Sequence, residues 1–308
     1  MNKNVAEKCT IKMLRVWVMG LMCLAMSACT ANEMEHKYID NNGVKIHYVA
    51  MGKGPLIVFI HGFPDFWYSW HLQMNGLKDD FRVAALDVRG YNKSDKPEKQ
   101  EDYDMSLLIE DVAAVIKAEG EEKAVIVGHD WGGGIAWRFA MARPQMTDKL
   151  IVINIPHPRA YIRELANNPA QYASTQYARD FQEPDSHTKL NIETLAGLVA
   201  KDDETRAKYI EAFKNSSLNG MMNHYRQNFP REPYNVESVV DMPNLSMPVL
   251  QFHGLKDTFS LDQGLNNTWA WIDKDYTLVT IPNADHWAHH DAPDLVTNTI
   301  KWWLKMHQ

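Results

Sequence analysis

Apolar runs alternate with helical patterns from residue 38 towards the carboxyl end of the chain. Residues 131–142 and 292–304 show helical spacing, and Ser106 is expected to cap a third helix. Residues 44–50 alternate between apolar and polar and end in the turn sequence GKGP. Strands alternating with helices predict an α/β fold with a mostly parallel sheet and right-handed crossovers. Six apolar runs are typical of strands buried on both faces: residues 56–60, 83–86, 124–127, 150–153, 249–252 and 278–281.

The alternation stops between about residues 156 and 243. This stretch is polar, rich in Asn and Tyr, and shows helical spacing without a convincing strand. It is too long for a loop, so it indicates a helical insertion. The strand–helix pattern resumes at Met247. We therefore expect one core, formed by residues 37–156 and 244–308, that carries a helical cap of residues 157–243.

The first 28 residues have the layout of a secretory signal. Four basic residues lie between Lys3 and Arg15, and the uncharged stretch 16–28 that follows is too short for a membrane span of about 20 residues. Residues 26–29 (MSAC) resemble the lipobox of bacterial lipoproteins, whose cysteine becomes acylated. We expect a signal peptide at 1–28, a lipidated Cys29 and a tether at 29–36. The alternative is a plain signal peptide in which Cys29 is incidental.

These features predict a protein exported in bacteria, either periplasmic or anchored to the membrane as a lipoprotein. Without the leader, 28 basic residues stand against 38 acidic ones, a net charge of -10 over 280 residues instead of -7 over 308. Nucleic-acid binding calls for a basic patch or stripe, which this balance does not favour. Cysteines occur only at Cys9, Cys23 and Cys29, so residues 30–308 contain no thiol for a disulfide, a metal site or nucleophilic catalysis.

Residues 128–132 (GHDWG) join an apolar run to a helical pattern. This is the spacing of a nucleophile elbow, G-x-S-x-G, with Asp130 in the place of the serine. The glycines leave room for the sharp turn beside the nucleophile. The alternative interpretation is a tight strand-to-helix turn that carries an exposed aspartate.

An aspartate nucleophile points to attack on a saturated carbon. Its carboxylate is ionised at neutral pH, since its reference pKa is about 3.9. A serine would leave an unreactive ether on that carbon, whereas the aspartate leaves an ester that water can split. Such chemistry requires a histidine to activate water, an acid to orient the histidine, and two N–H donors for the oxyanion.

Candidates for each role follow in chain order. Asp257 comes after the run 249–252 and His286 after the run 278–281, which gives the order nucleophile, acid, histidine. The backbone N–H groups of Phe63 and Trp131 can form the oxyanion hole. Phe63 lies in HGFP, directly after the run 56–60. The alternatives are a solvated turn aspartate at Asp257 and an ordinary strand-end turn at HGFP.

The histidines near the carboxyl end also suggest a metal site, because their spacing would suit one helix face. His286, His289, His290 and Asp291 would be the ligands. A triad histidine belongs on a loop, however, and no fourth ligand cluster follows. We therefore expect no metal and no cofactor.

With these residues in place, the chain resembles the α/β-hydrolase superfamily and, within it, the soluble epoxide hydrolases, over nearly all of residues 38–305. It departs from their pattern at Asn92 and Asp285, where glycine is usual. Asp285 is expected to raise the pKa of the neighbouring His286. The segments that carry the resemblance are HGFP (61–64), WYSW (67–70), DVRGY (87–91), SDKP (94–97) and GHDWGG (128–133).

The resemblance implies a role for the cap, because these enzymes activate the epoxide with two cap tyrosines. Tyr177 lies four residues before a Phe-Gln pair, and Tyr225 lies in an Asn-x-Tyr-Arg string, as in the family. Their phenols would hold and protonate the oxygen of a small apolar epoxide. Water would then release a vicinal diol from an alkyl-enzyme ester on Asp130. The alternative for each tyrosine is a packing role.

Two other functions compete with this interpretation. A haloalkane dehalogenase shares the aspartate mechanism and resembles the chain at Trp131, whose ring can hold a halide. A second halide donor is missing, since Phe63 stands where Asn is frequent and residues 161–240 contain no Trp. A non-catalytic envelope binding protein would need the glycines of the elbow but would have no use for the five candidate catalytic side chains together.

Overall fold

The computed structural model describes residues 33–239 and 241–307, so the predicted signal peptide and Cys29 lie outside the described residues. An eight-stranded sheet has the order β1-β2-β4-β3-β5-β6-β7-β8. The pairs β1–β2 and β2–β4 are antiparallel and the others are parallel. The predicted α/β fold with a mostly parallel sheet is confirmed. The strands are β1 (Glu35–Asn41), β2 (Val44–Met51), β3 (Leu56–Ile60), β4 (Arg82–Leu86), β5 (Ala124–His129), β6 (Thr147–Ile153), β7 (Val249–Gly254) and β8 (Tyr276–Ile281).

The central strands are buried because helices cover both faces of the sheet. Every residue of β3, β5 and β7 is buried, as expected for continuous apolar runs in a parallel sheet. The edge strand β1 was not predicted. It begins at Glu35, so the last two residues of the predicted tether pair with β2. Its side chains are mostly polar and alternate between partly buried and exposed, and Glu35 forms an ion pair with Arg82 of β4.

Helices connect the parallel strands. The prediction that Ser106 is the N-cap of α2 is wrong. Asp104 caps this helix by accepting a hydrogen bond from the Ser106 N–H at 2.9 Å. Among the described residues, no helix is long and apolar enough to cross a bilayer. The α-helices are α1 (His71–Leu77), α2 (Met105–Ala118), α3 (Trp131–Ala142), α4 (Pro158–Asn167), α5 (Pro169–Ser174), α6 (Gln176–Asp180), α7 (Ile192–Val199), α8 (Asp203–Lys214), α9 (Leu218–Asn228), α10 (Ala288–Asp291) and α11 (Pro293–Met306). Short 3₁₀ helices span Trp67–Trp70, Gln100–Tyr103, Pro144–Met146, Ser186–Lys189, Val236–Val239, Asp262–Leu265 and Thr268–Trp271.

Helices α4 to α9 lie between β6 and β7 and pack on the loops at the carboxyl ends of the strands. The Ser217 N–H donates to the Gly90 carbonyl at 2.9 Å, and Tyr209 Oη donates to Asp65 Oδ1 at 2.5 Å. Asn92 has a positive φ of 40°, which asparagine tolerates in place of the usual glycine, and its N–H donates to Ser216 Oγ at 2.7 Å. These bonds place the helical insertion over the edge where the parallel strands end.

Helix α3 begins against the end of β3 at a distance that only glycine allows. A Cβ on Gly132 would lie 2.1 Å from the Ile60 carbonyl oxygen, whereas the nearest atom to a Cβ on Gly134 would be 3.9 Å away, at Arg138. Gly132→Ala should therefore lower the free energy of unfolding by roughly 1–3 kcal/mol through overpacking. Gly134→Ala on the same helix is the control and should change it by less than about 1 kcal/mol. Urea denaturation of both variants measures the difference, and equal stabilities would contradict the close approach.

Candidate active site

Asp130 lies at a sharp turn between β5 and α3. Its backbone has φ 51° and ψ -123°, a conformation that is strained for a residue with a side chain. The Gly134 N–H donates to the Asp130 carbonyl at 2.9 Å and closes the first turn of α3. The residue is 7% exposed, and its side chain lines two cavities under the cap helices. The turn thus presents the carboxylate at the carboxyl edge of the sheet.

His286 lies between two carboxylates on the loop that follows β8. Its Nδ1 is 2.9 Å from Asp257 Oδ2, and its Nε2 is 3.5 Å from Asp130 Oδ2. The three residues follow β5, β7 and β8, whose carboxyl ends meet at one edge of the sheet. Residues separated by 156 positions in sequence are in this way brought into one site.

The Asp257 carboxylate is held by several donors. Its Oδ1 accepts from the backbone N–H groups of Phe259 at 2.8 Å and Ser260 at 3.0 Å, and its Oδ2 accepts from Asn154 Nδ2 at 2.8 Å. Asn154 was missed by the sequence analysis. The sequence feature that could have indicated Asn154 is its position directly after the apolar run 150–153, which places it at the same edge of the sheet as the other site residues.

The charges of the three side chains stabilise one another. Burial acts to raise the pKa of Asp257, but the neighbouring His286 lowers it to about 2. Burial acts to lower the pKa of His286, but Asp257 and Asp130 raise it to about 10. Burial opposes ionisation of Asp130 as well, and His286 still holds its pKa below the usual range. At neutral pH the site therefore contains an imidazolium between two carboxylates.

Asp285 does not face this charge cluster through its carboxylate. Its Oδ1 accepts from the Trp287 N–H at 3.0 Å, and its backbone N–H donates to Asp291 Oδ2 at 2.8 Å. The main causes of the raised pKa of His286 are Asp257 and Asp130. The contribution expected from Asp285 is not among them, because its carboxylate is turned towards the start of α10.

The loop after β3 supplies a donor to Asp130. The Phe63 N–H donates to Asp130 Oδ1 at 2.8 Å. A Cβ on Gly62 would lie 2.4 Å from the same oxygen, so this glycine permits the contact. Trp131 is the first residue of α3 and places its backbone N–H directly after Asp130. Phe63 thus contacts the carboxylate through its N–H, and Trp131 follows Asp130 in the chain.

The two cap tyrosines face Asp130 from α6 and α9. The ring centroids of Tyr177 and Tyr225 are 6.2 Å apart, and both side chains line the two cavities that reach Asp130. Burial raises the pKa of each phenol well above its usual range. Both are therefore protonated at neutral pH and can donate hydrogen bonds.

Two cavities meet at Asp130, and we name each after one lining residue. The Leu195 cavity, about 250 Å³, extends between His286 and the cap and is almost entirely apolar. The Arg138 cavity, about 230 Å³, follows α3 in the other direction. The Leu195 cavity is lined by Phe63, Pro64, Asp130, Tyr177, Phe181, Leu195, Leu198, Tyr225, Phe259, His286 and Trp287.

The four residues considered as metal ligands do not share a site. His286 is engaged with the two carboxylates, whereas His289 and His290 each place Nε2 near Ser69 Oγ, at 2.9 and 3.1 Å. Asp291 forms an ion pair with Lys201. Their helical spacing suggested convergence, but only His289 and His290 share a partner, Ser69, whereas His286 and Asp291 contact other residues.

Within the described residues, a different set brings three possible metal ligands together. Ligand atoms of Asp65, His129 and His289 lie within 4.8 Å of one another, in the buried layer behind His286. Both carboxylate oxygens of Asp65 already accept hydrogen bonds, from Tyr209 at 2.5 Å and from the Trp287 ring at 3.1 Å. Burial raises the pKa of Asp65 to about 7 and lowers that of His129 to about 3. The oxygens of Asp65 are thus hydrogen-bonded, whereas Nδ1 of His129 and Nδ1 of His289 are buried without a hydrogen-bond partner among the described residues.

The sheet and the order of Asp130, Asp257 and His286 along it define the α/β-hydrolase class, and comparisons agree. Residues 55–293 match the family described as alpha/beta hydrolase fold. The chain is 34% identical to epoxide hydrolase 4 of Homo sapiens over 286 residues, 87% of this chain and 77% of that protein. It is 35% identical to epoxide hydrolase 1 of Caenorhabditis elegans over 301 residues, 89% of this chain and 71% of that protein.

A solved structure gives the same result. The crystal structure of an epoxide hydrolase from Bacillus megaterium, in complex with an inhibitor, matches with a TM-score of 0.80 and 32% identity. The match covers 87% of this chain and all of that one. The chain therefore belongs to the α/β-hydrolase superfamily, as its motifs indicated, and it is a hydrolase with epoxide hydrolases among its relatives.

The paired charges of Asp257 and His286 predict a pH-dependent stability. The raised pKa of His286 stabilises the fold fully below pH 6.5, and this contribution is lost as pH rises through about 10. The lowered pKa of Asp257 stabilises the fold above pH 3.8, and this contribution is lost as pH falls through about 2. Asp257→Asn should therefore cost most, about 2 kcal/mol, between about pH 4 and pH 6.5.

Denaturant unfolding of the wild type and of Asp257→Asn across the pH range measures this cost. Asp79→Asn removes an exposed charge on the turn after α1 and is the control. A destabilisation that is constant from pH 2 to pH 10 would contradict the charge pairing.

Proposed function

We propose that the protein hydrolyses epoxides to vicinal diols through a covalent alkyl-enzyme ester on Asp130. The observation that carries the proposal is the arrangement of Asp130 opposite Tyr177 and Tyr225, with His286 Nε2 3.5 Å from its carboxylate. The names of the relatives at 34–35% identity support epoxides as the substrate class.

In the first step, a carboxylate oxygen of Asp130 attacks one carbon of the epoxide, and the carbon–oxygen bond of the ring breaks. The lowered pKa of Asp130 keeps this group ionised without a separate base. Negative charge develops on the departing oxygen. Tyr177 and Tyr225 hold that oxygen, and one of them transfers its proton to it. The largely apolar walls around Asp130 strengthen these interactions, since charges attract more strongly in surroundings of low dielectric constant.

In the second step, His286 takes a proton from water, which attacks the ester carbonyl of Asp130. Ester formation removes the negative charge of Asp130, one of the two charges that raise the pKa of His286. The pKa of His286 is therefore lowered, and the imidazolium releases a proton that restores the tyrosinate left by the first step to a phenol, so that the neutral imidazole can act as a base. The N–H groups of Phe63 and Trp131 stabilise the oxyanion, and Asp257 orients the ring. The bond between the carbonyl carbon and the alkyl oxygen then breaks, and His286 returns the proton to the departing alkoxide. The diol leaves with an oxygen that came from Asp130, and the enzyme needs no cofactor.

A single turnover in ¹⁸O-water tests the ester. With enzyme in excess over an aryl epoxide such as styrene oxide, the first diol should carry unlabelled oxygen, because that oxygen comes from Asp130. The label should instead be found in the Asp130 carboxylate by peptide mass spectrometry. Label appearing directly in the first diol would falsify the covalent mechanism, and faster halide release from a bromoalkane would favour a dehalogenase.

Two variants accompany that measurement. Asp130→Ala should reduce turnover at least about 10³-fold, the size of effect seen when a nucleophile is removed. His286→Gln should still react once, so that the ester accumulates and the protein mass rises by the mass of the epoxide. His307→Gln, at the end of α11, is the matched control and should behave as the wild type.

We further propose that the protein is exported and anchored through an acylated Cys29, as a periplasmic-facing lipoprotein. The basic start, the uncharged stretch 16–28 and the sequence MSAC support this. More than one acyl chain is needed for firm anchoring, since a single chain binds membranes only marginally.

Growth with a radioactive fatty acid measures the anchor. The wild type and Cys23→Ser should be labelled and sediment with membranes, and Cys29→Ser should lose both properties because the acceptor thiol is gone. An unlabelled wild type would show an ordinary signal peptide, and labelled Cys29→Ser would place the lipid elsewhere.

A further inference from the structure

Asp65, His129 and His289 form a buried group behind the residues of the active site. Each of the three has no exposed surface, at 0%. His129 Nδ1 lies 3.9 Å from Asp65 Oδ2, and together with a ring nitrogen of His289 the possible ligand atoms all lie within 4.8 Å of one another. None of the three lines either cavity that reaches Asp130, so the group is separate from the substrate site.

The hydrogen bond of His129 determines which of its nitrogens carries the proton. Its Nε2 is 2.8 Å from the backbone carbonyl oxygen of His286, which can only accept, so the proton is on Nε2. In the neutral ring, Nδ1 then presents a lone pair. No described group donates a hydrogen bond to this nitrogen, and the atom facing it is an oxygen of the Asp65 carboxylate.

His289 adds a third acceptor to the group. Its Nε2 is 2.9 Å from Ser69 Oγ, a hydroxyl that can accept or donate, while its Nδ1 is buried without a hydrogen-bond partner among the described residues. A neutral ring therefore offers a lone pair at one nitrogen in either tautomer. Buried polar atoms without partners are costly, and a cation between three acceptors removes that cost.

We propose that Asp65, His129 and His289 bind one Zn²⁺ ion. Two imidazoles and a carboxylate are a common zinc ligand set, with water as the fourth ligand. Three atoms no more than 4.8 Å apart surround a point at most about 2.8 Å from each, so zinc bonds of about 2.0–2.1 Å require side-chain shifts of less than about 1 Å. The oxygens of Asp65 keep their hydrogen bonds, since each has a second lone pair.

The ion joins three segments of the chain that are distant in sequence. They are the loop after β3, the end of β5 and the start of α10, and the same segments carry the Phe63 N–H, Asp130 and His286. An ion that binds the folded chain and not the unfolded one adds its binding free energy to the stability of the fold. Its role is structural, because it holds these segments together and contacts no substrate.

The zinc content of the isolated wild-type protein tests the site. A buried site is filled during folding, so the protein is produced in medium with added Zn²⁺, or unfolded with a chelator and refolded with Zn²⁺. Elemental analysis should find one zinc ion per chain after dialysis. The Tm should rise by about 5 °C over that of the zinc-free protein at a free Zn²⁺ concentration of about 100 Kd.

Substitution assigns the ion to these residues. His289→Gln removes one ligand, so the affinity for Zn²⁺ should fall at least about 100-fold. Asp65→Asn removes the charged ligand and should have the same effect, which provides a second variant if the first does not fold. His290→Gln is the matched control: this neighbour of His289 contacts the Ser69 carbonyl at 3.0 Å but is outside the group, so the variant should bind zinc as the wild type does.

Two measurements on the wild type require no variant. Co²⁺ in place of Zn²⁺ should give the visible absorption of a four-coordinate ion with nitrogen and oxygen ligands. Anomalous diffraction at the zinc edge, from crystals of the zinc-loaded protein, should place the ion between the three side chains.

The outcomes are decided without a substrate, so they are independent of the proposed function. Protein that stays free of zinc after refolding with Zn²⁺, or an unchanged affinity in both His289→Gln and Asp65→Asn, would overturn the inference. An anomalous peak only at exposed histidines would show an adventitious ion and overturn it as well. Ordered water without an anomalous signal at the group would have the same consequence.

Discussion

The contact between the start of α3 and the end of β3 determines where the reacting groups lie. The backbone at Gly132 packs against the Ile60 carbonyl, and the backbone at Gly62 packs against the Asp130 side chain, both too closely to admit a Cβ. This closeness brings the Phe63 N–H within 2.8 Å of the Asp130 carboxylate. It also holds Asp130 in a strained conformation that the surrounding structure must impose. Backbone packing therefore determines the position of the site, and the side chains then determine its chemistry.

Attraction between opposite charges stabilises the side chains of the site. Three buried ionisable groups would each be costly alone, yet Asp257, His286 and Asp130 lie in a row in which each charge is next to an opposite one. The row also makes the basicity of His286 depend on the state of Asp130. When Asp130 loses its charge, the pKa of the His286 imidazole changes without any movement of the protein.

The sequence predicted those parts of the fold that depend on local pattern. The run 56–60 coincides with β3 and the helix 131–142 with α3, because apolar periodicity and glycine spacing determine both. Strand β1 was not predicted because its mostly polar sequence contains no apolar run, and only its pairing with β2 in the folded protein makes it a strand. Asp104 rather than Ser106 caps α2, since either residue fits the sequence signal and only the backbone geometry decides.

The helical insertion leaves the sheet after β6 and returns before β7, and these neighbouring strands are also the ones that carry Asn154 and Asp257. The hydrogen bond of 2.8 Å between those two side chains spans the base of the insertion. A change that reshapes the insertion therefore also displaces Asn154 or Asp257, and Asp257 orients His286. The two strands that anchor the cap, and with it the shape of the substrate cavity, are thus also the strands that position the acid partner of His286.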